Sequence, residues 1–283
     1  MKSLQMKKID IHCHVSKREI KGVIPKRCDI VQVRKEMRKL GIEKTVLLAT
    51  YFPHKGSGIS NYRLQHWIAE AGDFILFGSL DFDHYFYQSF NELEELASSY
   101  SIWGIKIYTC YQNIDIHGEK FKKVLDLAKT YHLPMMFHTG YSYASMRKYN
   151  RATVGTPHDA STLEIVAKEN PEISMIFSHM SKPFFHEMLR VAKGNDNVYT
   201  DMSGLIDSAY DKGEIPICIE EIRTFLGECG SEKLLFGTDF PVQTHEHSIY
   251  FIEEAMKTGW PGEKDKANVY YNNAYKLLRL GHV

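Results

Sequence analysis

Short β-rich runs and helical stretches alternate from one end of this 283-residue chain to the other, and that rhythm limits the possible folds more than any other feature. Eight runs read as strands: KIDIHCH, KTVLLAT, FILFGSL, SIWGIKIYT, LPMMFHTG, EISMIFSHM, NVYTDMSG and KLLFGTDF. Each is followed by a helical pattern, in order DIVQVRKEMRKLG, NYRLQHWIAEAG, SFNELEELASSY, EKFKKVLDLAKTYH, STLEIVAKENP, FHEMLRVAKG, ICIEEIRTFLGECG and EHSIYFIEEAMKTG. Several close on glycine, the residue that best tolerates the left-handed backbone at a helix C-terminus. Such alternation predicts a parallel sheet, because parallel neighbours need a crossover of about helix length. Eight units are the number that closes a (β/α)8 TIM barrel, an α/β fold. A doubly wound open sheet alternates too, but it binds at one switch point and not from both its first and last strands. The closing ANVYYNNAYKLLRL predicts an additional C-terminal helix. No linker, low-complexity tract or repeat divides the chain, so residues 1–283 are expected to form a single domain. About 250 residues is usual for one such barrel.

Composition narrows the partners. Hydrophobic residues make up 43% of the chain, enough for a large core without staples. Lysine plus arginine equal aspartate plus glutamate at 35 each. That balance lacks the basic excess of a phosphate-contacting protein, so nucleic acid is not an expected partner. No basic block or basic amphipathic helix points to a membrane surface. Cysteines at 13, 28, 110, 218 and 229 are odd in number and never in CxxC spacing. This argues against a disulfide framework or zinc knuckle and for a reducing compartment. The opening MKSLQMKKID has no apolar run of signal-peptide length, and no later run reaches about 18 apolar residues. A cytoplasmic location is therefore expected. Oligomeric state, including a homo-oligomer, stays open.

The strand ends carry the chemistry. In a regular strand the segment IDIHCHV puts Asp10, His12 and His14 on one face and Ile9, Ile11 and Cys13 on the other. The fourth strand carries Lys106 in GIKIY, the fifth closes on His138, the sixth on His179, and the eighth on Asp239 in FGTDFP. A TIM barrel gathers its strand C-termini at one mouth, so these groups converge in one volume. Imidazole nitrogen and carboxylate oxygen suit zinc, manganese, iron or nickel. A lone His138 or His179 reads more simply as a hydrogen-bonded core histidine; it is the joint occurrence that points to a metal. Cys13, facing away, reads as a small buried hydrophobe. Asp10 reads either as an acceptor that orients an imidazole or as an ordinary buried hydrogen-bonding group. A second HxH, His245 and His247 in THEH, opens a helix, where residues two apart face nearly opposite ways. Solvated helix-start residues explain it better than a metal site. The segment GYSYASMRKYNRATVGTPHD is long for a strand-to-helix connection. Its Arg147, Lys148 and Arg151 suit either a lid over an anionic substrate or a solvated surface loop.

The ordered set IDIHCH, GIK, FHTG, FSHM and LLFGTDFP resembles the amidohydrolase superfamily. It is most similar to the amidohydrolase 2 group of metal-dependent hydrolases and decarboxylases like aminocarboxymuconate semialdehyde decarboxylase. The resemblance implies His12, His14, His138 and Asp239 as ligands of a divalent ion, zinc first, with manganese, iron or nickel as alternatives. It implies that His179 binds a second ion or acts on the substrate. A lysine placed like Lys106 is carboxylated and bridges two ions in some members; otherwise it stays an ammonium that holds a substrate carboxylate. Tyr108 and Thr109 stand where the group often has histidine and proline, and the one-ion version is preferred. The expected activity is hydrolysis of a small amide, lactone or related carbonyl, with Asp239 and His179 catalytic. Lys106, Tyr108 and Arg147 are the expected substrate contacts, the substrate itself carrying a carboxylate. The alternatives are a metal-dependent non-oxidative decarboxylase and a silent binding protein that kept the barrel.

Overall fold

The computed structural model describes residues 6–16, 18, 28–51, 59–140, 159–207, 212–257 and 262–281. Its strands are β1 (Lys8–Cys13), β2 (Ile42–Leu48), β3 (Phe74–Ser79), β4 (Gly104–Ile107), β5 (Met135–Phe137), β6 (Met175–Phe177), β7 (Val198–Asp201) and β8 (Leu234–Leu235). They form one sheet in sequence order, every neighbouring pair parallel. The end of β8 returns to β1: Ile11 N donates to Phe236 O at 3.0 Å, and Cys13 bridges Phe240 in parallel. The eightfold alternation thus makes a (β/α)8 barrel; seven of the sequence runs contain their strands, and KTVLLAT covers all of β2 but its first two residues.

The helices are α1 (Ile30–Leu40), α2 (Asn61–Ile68), α3 (Phe86–Ser98), α4 (Glu119–Thr130), α5 (Ala160–Glu169), α6 (Phe185–Gly194), α7 (Ile215–Cys229), α8 (His245–Ala255), α9 (Glu263–Ala267) and α10 (Asn273–Leu277). Four start where a side chain accepts from an otherwise unpaired first-turn N–H. These caps are Asp29 for α1, Ser60 for α2, Asp159 for α5 and Thr244 for α8. The predicted C-terminal helix is present but starts four residues earlier and ends at Leu277, with a π-turn at Asn268–Asn272 joining α9 to α10. None of the described helices is long and apolar enough to cross a membrane.

Two buried clusters divide the core. The inner one fills the barrel with Ile9, Ile11, Val46, Leu48, Ile75, Phe77, Met136, Ile176 and Leu235, joined by Ala274, Leu277 and Leu278 of the C-terminal helix. That helix closes the end where the strands begin; Tyr271 beside it reaches Glu43 at the start of β2. The inner layer leaves no room for a side chain on β4 at Gly104, where a Cβ would lie 2.4 Å from the Phe77 ring. The outer cluster packs the opposite strand faces, including Leu47, Leu76, Ile105, Phe137 and Phe177, against the helices.

One sequence expectation changes at β1. Asp10 pairs with Thr45 but Cys13 with Leu47, three steps on β1 against two on β2. An extra residue in one strand flips the alternation beyond it. Ile9 and Ile11 therefore face into the barrel, Asp10 faces outward, and the side chains of His12 and His14 turn to the mouth instead of sharing a face with Asp10.

Candidate active site

The strand ends bring five of the expected residues together. His12 Nε2 lies 3.5 Å from Asp239 Oδ1, and His14 Nε2 lies 3.1 Å from the same oxygen. Beside them His138 Nδ1 and His179 Nε2 are 3.1 Å apart, with His179 and His12 ring centroids separated by 5.0 Å. The backbone there is strained. His179, Met180 and Ser181 have φ of 62°, 48° and 55°, and Asp239 has φ of 56°. Such left-handed non-glycine residues persist only where surrounding contacts over-determine them, and they cluster at functional sites. Gly204, itself at φ 57°, approaches so closely that a Cβ would sit 2.6 Å from Asp239 Oδ2 and 3.0 Å from His179 Nδ1.

Hydrogen-bond partners fix the imidazole tautomers, since a neutral ring has one donor and one acceptor nitrogen. His12 Nδ1 faces the Asp201 carboxylate at 3.0 Å and must donate, leaving a lone pair on Nε2. His179 Nδ1 faces the Ser203 carbonyl at 2.8 Å and also donates, so its Nε2 accepts from His138 Nδ1. This leaves His138 Nε2 as a buried lone pair without a partner, and His14 Nδ1 is similarly unpartnered. The His12 Nε2 lone pair therefore confronts an Asp239 oxygen with no proton between them. Two acceptors held that close inside a protein fit a cation. Among the described residues His12, His14 and Asp239 offer ligand atoms within 4.8 Å of one another. His138 stands beside this trio against His179. A second group of His12, His179 and Asp201 is equally tight, but Ser203 Oγ already sits among them, 2.6 Å from Asp201 and 2.9 and 3.0 Å from the two Nδ1 atoms. Hydrogen bonds hold that group.

Burial sets the charge states. It pushes His12 down to about 3, with the positive charge of Lys106 adding and Asp201 opposing. Burial, then the neighbouring His179, takes His138 well below its ordinary value, and burial lowers His179. These rings are neutral at pH 7, the state a ligand requires. Burial acts to raise Asp239, but the His14 hydrogen bond and the surrounding imidazoles outweigh it and hold the carboxyl below its usual range. Lys106, fully buried on the inner side of β4, donates to Ser178 Oγ at 3.1 Å, and burial lowers it to about 8. Tyr108 gives its hydroxyl to Ala49 O at 2.9 Å, with its ring 5.4 Å from Lys106 Nζ. Arg147, with Lys148 and Arg151, lies outside the described residues.

Sequence reasoning missed Asp201, left two readings of Asp10 open and misread His245. Asp201 Oδ1 accepts from His179 N, Ser203 N and Ser203 Oγ while Oδ2 holds His12, so one carboxylate fixes three parts of the site. The available signal was a polar strand end in TDMSG, like those of the other strands. Asp10 takes no imidazole of the mouth; it accepts from the backbone of His12 and Thr238 behind it. His245 is not solvated but fully buried, because α8 begins against the barrel wall.

The amidohydrolase family model matches residues 9–280. No curated protein matches the sequence. Among solved structures, a Pseudomonas putida protein provisionally named 2-pyrone-4,6-dicarboxylic acid hydrolase is 15% identical over 98% of both chains, with a TM-score of 0.67. Dihydroxybenzoic acid decarboxylase from a Polaromonas species, with bound manganese and the inhibitor 2-nitroresorcinol, is 14% identical over 98% of both, with a TM-score of 0.67. An amidohydrolase from Burkholderia multivorans with bound zinc is 11% identical over 96% of this chain and 99% of its own, with a TM-score of 0.72. At such identities the structures speak for the fold, while the family match spans nearly the whole chain. This chain belongs to the amidohydrolase family.

Proposed function

We propose that the chain works as one catalytic unit, a metal-dependent hydrolase acting on a small carboxylated amide, lactone or related carbonyl compound. The observation that carries this reading is the unprotonated contact of His12 Nε2 with Asp239 Oδ1 at 3.5 Å. Asp239 is also 14% exposed in its side chain where Asp201 is 0%, so the mouth offers one carboxylate to solvent and keeps the other as a brace. His12, His14, His138 and Asp239 would hold one divalent ion, zinc first and manganese, iron or nickel as alternatives. The zinc and manganese in the two relatives support a divalent ion of this kind. Such an ion supplies a Lewis acid for the substrate carbonyl and lowers the pKa of a water toward about 7.

The chain's own residues do the rest. Asp239, kept ionised by its imidazole neighbours, takes the proton of the attacking water and returns it to the leaving group. His179, its Nδ1–H held by Ser203, offers only an Nε2 lone pair, which would ligate the second ion in a two-ion version; polarising the substrate oxygen requires that Nε2 first take up a proton. Lys106 carries its proton at pH 7 with a neutral hydroxyl as its hydrogen-bond partner, which suits a substrate carboxylate; carboxylated, it would bridge two ions. Tyr108 presents its ring to the substrate, since its hydroxyl is engaged, and Arg147 is a further contact for an anionic group. A cytoplasmic setting fits five free thiols.

Decarboxylation of an unsaturated or aromatic acid is the alternative, kept because the decarboxylase and the hydrolase above have the same TM-score to this chain. Turnover in oxygen-18 water separates them. Hydrolysis puts the label in product, whereas decarboxylation releases carbon dioxide without incorporating it. Replacing Asp239→Asn abolishes turnover and leaves the far-ultraviolet spectrum unchanged; a variant as active as wild type would refute the role.

A further inference from the structure

We propose that Asp10 and His245 form a positioning pair behind the barrel wall that holds the strand ends bearing His12, His14 and Asp239 in register. The inference rests on the cation reading above and concerns residues outside the mouth.

The bulge in β1 interrupts its ladder with β2 over the same residues that meet the end of β8, and β8 is only two residues long. A carboxylate fills the gap. Asp10 Oδ1 accepts from His12 N at 3.1 Å and from Thr238 N at 3.1 Å, and Oδ2 accepts from Thr238 Oγ1 at 2.7 Å. Thr238 Oγ1 in turn accepts from Phe240 N at 3.1 Å. One side chain therefore spans the seam from the backbone of the first histidine to the two residues flanking Asp239. The strained Asp239 is pinned from the other side, its N–H donating to His12 O at 2.7 Å. The two strand ends also meet directly through Ile11 N–Phe236 O and His14 N–Phe240 O, and the carboxylate ties the stretch between those bonds.

His245 stands behind that carboxylate. It is fully buried on the first turn of α8, its Nε2 3.4 Å from Asp10 Oδ2 and its ring centroid 4.6 Å from that of Phe240, tilted by 38°. Among the described residues it is the only basic side chain within 4.0 Å of Asp10, a close charge contact rather than an aligned hydrogen bond, and both of its buried ring nitrogens are otherwise unpartnered. Cys13 joins them within 4.8 Å, but its thiol is turned to the carbonyls of His14 and Phe240. The Asp10 oxygens are already committed to three donors. Those commitments favour a direct contact of His245 with the carboxylate over a shared ion.

Cobalt(II) substitution tests this without turnover, because the visible band reports coordination geometry and a titration gives affinity. Loss of such outer partners typically weakens metal binding about 10–100-fold. D10N and H245L should show that loss with a shifted band, and H245Q, whose amide nitrogen can stand in for Nε2, should restore most of both. T238V, which removes the Oγ1 bonds to Asp10 and Phe240 and keeps the backbone bond, should give a smaller change in the same direction if the first two fold poorly. A merely structural role would lower thermal stability in H245L and H245Q alike and leave affinity and band as in wild type; that result overturns the inference while the cation reading stands. A second cobalt equivalent in wild type, lost in H245L with the first band unchanged, overturns the pair in favour of an ion. Wild-type protein that takes up no cobalt overturns the cation reading, and the inference with it.

Discussion

Replacing Asp201→Asn changes one atom and should disable a ligand it never touches. Asp201 Oδ1 accepts from three donors, His179 N at 3.0 Å, Ser203 N at 3.1 Å and Ser203 Oγ at 2.6 Å. The asparagine oxygen must stay there, which puts the amide nitrogen where Oδ2 now receives His12 Nδ1 at 3.0 Å. Donor would face donor. His12 escapes by moving its proton to Nε2 and accepting from the amide through Nδ1, so the lone pair aimed at Asp239 disappears. An outer partner of this kind is worth about 10–100-fold in metal affinity, or ~1.4–2.8 kcal/mol at ~1.4 kcal/mol per tenfold. Competition of wild type and variant against a chromophoric zinc chelator at pH 7.0 measures it directly. Equal zinc affinities in two proteins with the same circular dichroism would refute the argument that Asp201 sets the His12 tautomer.

Other outcomes follow from the same geometry. Two glycine-to-alanine changes should have opposite signs. Gly204→Ala meets Asp239 and His179 in a left-handed conformation, costing roughly 1–2 kcal/mol for the backbone alone and displacing the Asp239 carboxylate; thermal unfolding and zinc titration should both show the loss. Gly227→Ala, inside α7 with nothing within 4 Å of the added carbon, should stabilise by about 0.5–1 kcal/mol. The titration behaviour of the site gives a third outcome. His12, His138 and His179 have lowered pKa values, as does Asp239, so each is already deprotonated above pH 6.5. Those four release no protons on metal binding between pH 6.5 and 8, and acid competes for them only below that window. Calorimetry in buffers of different ionisation enthalpy should find less than one proton released per ion at pH 7.5; two or more would contradict the assigned states.

The barrel was legible because its signals are local. Alternating apolar runs, cap residues such as Asp29 and Thr244, and polar strand ends can all be read within about ten residues. Those signals suffice to place His12, His14, His138, His179 and Asp239 at one barrel mouth. What escaped depends on pairing between distant segments. The bulge between Asp10 and Cys13 exists only relative to β2, so the sequence pattern alone put Asp10 on the wrong face. His245 sits at a polar helix start, and only the docking of α8 against Phe240 buries it. Asp201 carried the same strand-end signal as its neighbours, but its role emerges only where β7 meets the His12 ring and the turn at His179.

The central claim is that His12, His14 and Asp239 share one cation. Anomalous diffraction at the zinc edge, from crystals grown with excess zinc, tests it most directly. The account predicts a peak at the barrel mouth roughly 2.0–2.2 Å from both histidine nitrogens and an Asp239 oxygen. Clean density there with no anomalous signal, or zinc found only at surface residues, would contradict it.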